Sequence, residues 1–315
     1  MPCTWKPCPR WPPCCAMPAA SRKRARCWSR PWPHIPPSWP CSAHRRRSSS
    51  ACSTAWIHRS RRFIDAMNAH QPQLPLAYEP IRLDDGANVK AHSIQLGLDG
   101  ADEGTLVWAT QQAEGEARPG NTWYSPDDGL YLGLVLEPDF PTEQAGQLAL
   151  VGLVSMGLSM AEHVVPMTDL AYRWPNDILL SGSKVAGLWL SANEAGDRLV
   201  LNLAVNVAKA PQEVIDAGCV QTDGGTPETT PEILLETFAR QFLDWINRWA
   251  EEGMAPILRQ LHSRHAKPGT PVLLRLDHGE HLAGSVVEVD DQGQLVLETD
   301  GQTRSVGLNE FFGLK

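Results

Sequence analysis

Nothing limits this chain more than the break in its composition near residue 66. Upstream of it there is no Leu, Val, Gly, Glu, Gln, Asn or Tyr, and the only isoleucines are Ile35, Ile57 and Ile64. A packed core needs branched aliphatic residues recurring at period 2 or 3.6, and residues 1–66 do not supply them. They hold 13 Lys+Arg against a single acid, Asp65, with seven of the eight cysteines, six of the twelve tryptophans and eleven prolines. Residues 67–315 hold 15 Lys+Arg against 35 Asp+Glu, so the overall charge of −8 sums two unlike parts.

Several readings of residues 1–66 fail on chemistry. No long apolar run follows the basic residues, which excludes a secretory signal. A transit peptide shares the Arg and Ser content, but the prolines oppose an amphipathic helix. Zinc ligation is opposed by the adjacent Cys14-Cys15 pair and by His34, His44 and His58, which lack ligand spacing. Arg45-Arg46-Arg47 and Arg59 to Arg62 would suit an arm contacting phosphates. The composition favours a plainer expectation: a basic Cys/Trp/Pro-rich extension that is disordered, or sequence lying ahead of a true start at Met67.

The remaining 249 residues have the size of an α/β domain with a small appended module. Their one cysteine, Cys219, implies no disulfide framework and a reducing compartment, hence the cytoplasm. The longest stretch free of charges and amides, 148–161, is too short to span a bilayer. The acidic balance opposes nucleic acid as a partner.

Periodicity predicts a loose lead-in over 68–80 and a short helix over 85–98. A strand over 104–112, a polar loop over 113–122 and a buried strand over 130–136 follow. Residues 141–165 read as a helix apolar on nearly all sides. Four strands are predicted over 169–174, 178–180, 184–192 and 198–207. Thr230-Pro231 opens a helix with a capping hydroxyl and a proline at its first position. Leu234, Phe238, Phe242, Trp245 and Trp249 form its apolar stripe. A shorter helix, 254–265, follows. From Gly269 onward, four short strands separated by Asp/Gly turns predict a small barrel.

The stretch Arg173-Trp174-Pro175-Asn176-Asp177, continuing through Ser181-Gly182-Ser183 to Lys184-Val185-Ala186-Gly187-Leu188, stands out. Lysine is unusual at the head of a strand flanked by apolar runs. Lys184 is either a solvated turn residue or a cation placed to hold an anion.

This stretch closely resembles the Lys-Trp-Pro-Asn-Asp … Lys-Leu-Ala-Gly-Ile motif of biotin–protein ligases. Trp123-Tyr124-Ser125-Pro126 … Gly129-Leu130-Tyr131-Leu132 is similar to that family's Trp-x-Ser-Pro … Leu-Tyr-Leu segment. Gln111-Gln112-Ala113 matches the end of the strand before its ligand loop, and Asn206 falls on the Asn of its Gly-Ile-Asn-Val segment. The similarity is collinear from about 85 to 315. It implies an α+β fold: a mixed sheet with packed helices over 67–266, then an SH3-like β-barrel over 267–315. No helix-turn-helix pattern precedes it to suggest the repressor activity of some members.

The chain departs from the family in the ligand loop, where Gly115, Arg118 and Gly120 survive but Glu116 replaces an arginine. Gly86-Ala87-Asn88 replaces a Ser-Thr-Asn, removing two hydroxyls. Asn202 and Ala204 replace two glycines, and Ser191 replaces a glutamate.

The resemblance implies ATP-dependent activation of biotin, with Mg2+, and transfer to a lysine of a carrier domain. The missing hydroxyls keep lipoate or octanoate as alternative acids, and Glu116 keeps open a member that binds without turnover. A homodimer is left open. Lys184 would be the catalytic cation. Arg118 would grip a carboxylate or phosphate, or sit in water. Trp123 would stack on adenine, or anchor its loop. Asn176 and Asp177 would hold Mg2+ with the phosphates, or cap the corner. Gln111 would bond the ligand's polar head, or end a strand. Gly187 would let a ligand chain approach the backbone, or mark a bulge. Gly115, Gly120 and Asn206 complete the expected ligand-binding set. Arg173 is expected in a structural ion pair, and the histidines show no metal spacing.

Overall fold

A computed structural model describes residues 71–83, 86–112, 115–118 and 121–314; the side chains of 115–118, 121 and 122 are not described. The expectations for residues 1–66 and for Gly120 fall outside these residues.

A seven-stranded mixed sheet organises the chain. Its strands are β1 (Glu79–Arg82), β2 (Thr105–Ala109), β5 (Leu130–Leu136), β6 (Leu170–Arg173), β7 (Asp177–Leu180), β8 (Ser183–Ala192) and β9 (Leu199–Val205). They lie in the order β1-β2-β5-β9-β8-β7-β6, antiparallel except for the β1–β2 pair. Residues on β2, β5 and β7 are buried throughout, as continuous apolar runs require of a sheet covered on both faces.

The two faces are covered by different helices. Leu106, Leu132, Leu134, Leu201 and Leu203 face the larger core, shared with α2 (Gln147–Ala161) and α4 (Pro231–Glu252). Gly152 lets α2 approach β8 and β9, since a Cβ there would lie 2.9 Å from Leu188 and Leu201. The stretch Thr142–Ala161 is apolar and long enough to cross a membrane by composition alone, yet most of it is buried inside this fold. Its hydroxyls are satisfied within the helix: Ser155 donates to Val151 O and Ser159 to Ser155 O, both at 2.7 Å. α4 is capped as its sequence predicts, with Thr230 Oγ1 accepting from Ile233 N, and its Leu234–Trp249 stripe is buried.

The opposite face carries α1 (Val89–Leu98), which packs on β2, β5 and β9. Val89, Val107, Ala109 and Tyr131 form a smaller core there. Asn88 caps α1, its side chain accepting from Ala91 N at 2.9 Å.

At the C-terminus, β10 (Pro271–Arg275), β11 (His281–Val289), β12 (Leu295–Thr299) and β13 (Gln302–Val306) form an antiparallel sheet, the expected small SH3-like unit. A bulge at Val286/Glu288 bends β11. α6 (Leu308–Phe312), the next helix after α5 (Ala255–His262), follows and fastens this unit to the larger sheet. Phe311 meets Trp174 edge-on at 5.4 Å, Trp174 Nε1 donates to Gly293 O, and Asn309 Oδ1 accepts from Gly146 N ahead of α2.

Three expectations change. The lead-in contains β1, an edge strand whose Pro80 is tolerated because an edge need not pair on both sides. The polar loop over 113–122 contains a hairpin of β3 (Gly115–Arg118) and β4 (Asn121–Trp123), which closes on itself as a separate two-stranded sheet. Residues 222–230, whose Gly, Thr and Pro content reads as a loop, begin inside a single helical turn, α3 (Val220–Asp223).

Candidate functional site

The α1-bearing face of the sheet collects most of the residues singled out from sequence. Asp177, Gly187, Ala204 and Tyr131 form one row across β7, β8, β9 and β5. The β7–β8 turn, with Ser181 at φ 49° and Gly182 at φ 87°, starts the return strand at Ser183. A register shift between Ile178 and Leu179 then sets Leu179 opposite Lys184 and Ile178 opposite Ala186. Lys184 is thereby carried to the side of Asp177, and Nζ lies 2.6 Å from Asp177 Oδ1. The contact is ionic, outside hydrogen-bond alignment. The Lys184 side chain is 31% exposed and that of Asp177 12%, so the pair is only partly desolvated.

Neighbouring chain fixes this lysine from behind. Its backbone N–H donates to Asp216 O, and its carbonyl accepts from Gly218 N, both at 2.9 Å. Asn206 braces the same segment: Nδ2 donates to Gly218 O at 3.0 Å, and its carbonyl accepts from Val220 N at 2.8 Å. Asn206 is 2% exposed.

Trp123, at the end of the β3–β4 hairpin, covers the lysine from the front. Its ring lies 5.1 Å from Lys184 Nζ, a cation–π distance. A Cβ on Gly187 would stand 2.7 Å from Trp123 Cζ3 and 3.5 Å from Lys184 Cε. Gly187 is thus the floor on which the indole rests, and the register break lies beside it, not at it. Gly115 pairs with Trp123 across the hairpin, and the hairpin backbone approaches β8 and α1. Arg118 lies on this hairpin, in β3.

Asn176 is engaged at the corner. Its Nδ2 donates to Leu188 O at 3.0 Å, and its carbonyl accepts from Leu188 N at 2.9 Å. Arg173 forms the expected ion pair, with Asp177 Oδ2 at 3.8 Å. Gln111 is turned toward Asp127 and hydrogen-bonds its carboxylate. The neighbouring Gln112 is the more central amide: Oε1 accepts from Val89 N at 3.2 Å, and Nε2 donates to Ser125 Oγ at 2.9 Å. It ties the start of α1 to the turn after Trp123. The repeated amide at 111–112 was the available signal.

Four buried side-chain polar atoms lack a hydrogen bond among the described residues: Trp123 Nε1, Asn206 Oδ1, Asp177 Oδ1 and Tyr172 Oη. Asp177 Oδ1 has the Lys184 ammonium at 2.6 Å, whereas Trp123 Nε1 and Asn206 Oδ1, on the residues that cover and brace Lys184, have no partner. Folded proteins satisfy nearly all such atoms internally, so the cluster marks a place prepared for something else. Beyond Asp177, a cavity of about 670 Å³ is lined by Arg173, Asp177, Leu179, Arg264, Lys267 and Leu274. Its lining brings three cations, Arg173, Arg264 and Lys267, against the one carboxylate of Asp177, a balance that suits an anionic ligand.

The sequence matches the biotin/lipoate A/B protein ligase family over residues 74–263, and the chain belongs to that family. It is 31% identical over 243 residues to the biotin–[acetyl-CoA-carboxylase] ligase of Paracoccus denitrificans, covering 73% of this chain and 98% of that protein. It is 29% identical over 218 residues to the bifunctional ligase/repressor BirA of Bacillus subtilis, covering 65% of each chain. Among solved structures, a biotin protein ligase-like protein of unknown function from a Silicibacter species superposes with a TM-score of 0.63 at 19% identity, covering 76% of this chain and 97% of that one. The Aquifex aeolicus biotin protein ligase, in complex with biotin and ATP, gives 0.60 at 21% identity, covering 74% and 97%.

Proposed function

We propose that this protein is an ATP-dependent biotin–protein ligase acting in the cytoplasm on a lysine of a carboxylase carrier domain. The observation that carries the reading is Lys184, held by Asp177 and covered by Trp123 among under-satisfied polar atoms. Residues 67–266 would carry the chemistry, and 267–315 would form the small second domain. The names of the Paracoccus and Aquifex relatives support biotin as the acid.

In the first step a carboxylate oxygen of the acid attacks the α-phosphorus of ATP, and pyrophosphate leaves. In the second, the acceptor amine attacks the acyl carbon. An amide forms, AMP leaves with the bonding pair, and the amine loses a proton. Negative charge grows on the phosphoryl oxygens and then on the acyl oxygen. A fixed cation reaching both lowers both barriers, because it is already oriented when the charge appears. Lys184 is that cation in our reading, and Asp177 fixes its position until the ligand's own charge competes for it.

Asp177 also supplies the carboxylate that would hold Mg2+ with the phosphates, since Mg2+ is bound through one or two carboxylates plus substrate oxygens. Asn176 is occupied by Leu188 and serves as the corner clamp instead. Trp123, Asn206, Gln112 and the hairpin carrying Gly115 and Arg118 would enclose the acid and nucleotide. Gln111 would act through Asp127, at the rim.

The test uses the full chain with ATP and one acid at a time, following pyrophosphate release. Release with biotin supports the reading. Release only with lipoate or octanoate would reassign the acid. No release, with no thermal shift on adding ATP, would leave a binding protein and give Glu116 the decisive role.

A further inference from the structure

The α1-facing side of β9 carries a buried polar group that no role above uses. Asn202 is 6% exposed, and its Oδ1 accepts a hydrogen bond from Ser93 Oγ of α1 at 2.9 Å. Gly133 makes room for the pair: a Cβ there would stand 2.2 Å from Ser93 Oγ and 2.9 Å from Asn202 Oδ1. A carboxamide also carries two N–H donors. Among the described residues, Asn202 Nδ2 meets only Val200 O, at 3.5 Å, beyond the ordinary N–H···O range. Ser93 Oγ also lies 3.0 Å from Lys90 O; with its single proton given to Asn202, the amide is held at its oxygen and under-used at its nitrogen.

Register puts this amide beside the lysine site. Ala204 pairs with Gly187, and Asn202 pairs with Trp189, one step farther along the same face. With a rise of ~3.4 Å per residue and ~4.8 Å between strands, Asn202 lies about 8 Å from Gly187. An acid with its carboxyl group at Lys184 and its chain running over Gly187 would carry its far end toward Asn202. Glycine is the residue expected here from the family motif, and this chain has an amide instead.

We infer that Asn202, oriented by Ser93, is a specificity-determining donor for the distal end of the acid. It accepts an acid whose tail carries a hydrogen-bond acceptor, such as a ureido carbonyl, and disfavours an acid with a plain hydrocarbon tail. This inference rests on the acid-activating reading of Lys184 given above. With no hydroxyl at Gly86 or Ala87, β9 supplies the polar partner for the tail instead.

The experiment compares the full chain with its Asn202→Leu and Asn202→Gly variants, using biotin and octanoate. Pyrophosphate release gives KM and kcat, and calorimetry without ATP gives affinity. The wild type is expected to show a biotin KM at least ~10-fold below that of octanoate, as buried donors discriminate against ligands that cannot accept. Both variants should raise the biotin KM roughly 10–100-fold while kcat stays within about threefold, because the missing hydrogen bond is remote from the reacting atoms. Octanoate should be unchanged or improved. An unchanged biotin KM in both variants, or equal shifts for both acids, would overturn the inference. If the leucine variant shows no cooperative unfolding, the glycine variant decides, since it adds no bulk. If the wild type releases pyrophosphate with neither acid, the acid-activating reading fails. Calorimetry then decides Asn202 alone: biotin binding weakened by Asn202→Gly sustains it, while equal or undetectable binding removes it.

Discussion

The indole of Trp123 rests on Gly187, with the Lys184 side chain against both. A methyl group at 187 would collide with Trp123 Cζ3 at 2.7 Å, and the ring is the part able to move. Gly187→Ala is expected to displace Trp123 and lower the adenylation rate roughly 10–100-fold, as small misplacements of positioned groups do. The thermal midpoint should change little. Tryptophan fluorescence and pyrophosphate release measure the two effects, and an unchanged rate would show that the indole's seat is not used.

Asn176 gives a different expectation, because its amide is spent on Leu188. Asn176→Ala leaves Leu188 O without its donor and should cost about 1–3 kcal/mol of stability. Denaturant unfolding measures it. Adenylation at a temperature where the variant is folded should fall less than in a Lys184 variant. An activity loss as large, with full stability, would assign Asn176 to the nucleotide.

Gly133→Ala tests the seat of α1. The added Cβ would stand 2.4 Å from Ser93 Cβ, so sheet and helix must separate. Overpacking of this kind costs roughly 1–3 kcal/mol. Unaltered unfolding would mean that α1 is loosely held.

The region that sequence reads well is the region buried on both sides. β5 is found at its observed bounds, and β6 to β9 are found to within two residues, because continuous apolar runs have one economical reading. β1 is missed because Glu79, Pro80 and Arg82 are exposed edge residues with no alternation to detect. The β3–β4 hairpin is missed because Gly-Glu-Ala-Arg and Asn-Thr-Trp are polar and pair only with each other. α3 and α6 are too short for a helical period to develop. At the site, the motif points to Lys184 and Asp177 but not to their contact, which depends on a register shift that composition does not record. Ser93 and Asn202 are 109 residues apart and become partners only through the packing of α1 on β9.

Two half-buried histidines set a pH limit on stability. His163 hydrogen-bonds Thr237 Oγ1 at 2.9 Å, and His265 bonds Ala266 O at 3.1 Å. Burial pushes both below the ordinary value of 6.5. The unfolded chain then binds more protons than the folded chain as the solution is acidified. Stability from the neutral rings is present above the unfolded value and is lost as pH falls through it toward the folded values. The thermal midpoint should drop between about pH 7.5 and pH 5.5, with a shallower slope in His265→Gln. Equal slopes would remove His265 from this account.

The central claim is that Lys184 is the cation of acid activation. Its most direct test is pyrophosphate release by the full chain with ATP and biotin, wild type against Lys184→Ala. The account predicts a loss of at least ~100-fold in kcat, the scale of removing one pre-oriented charge, with cooperative unfolding retained. A Lys184→Ala protein that releases pyrophosphate at the wild-type rate would contradict it.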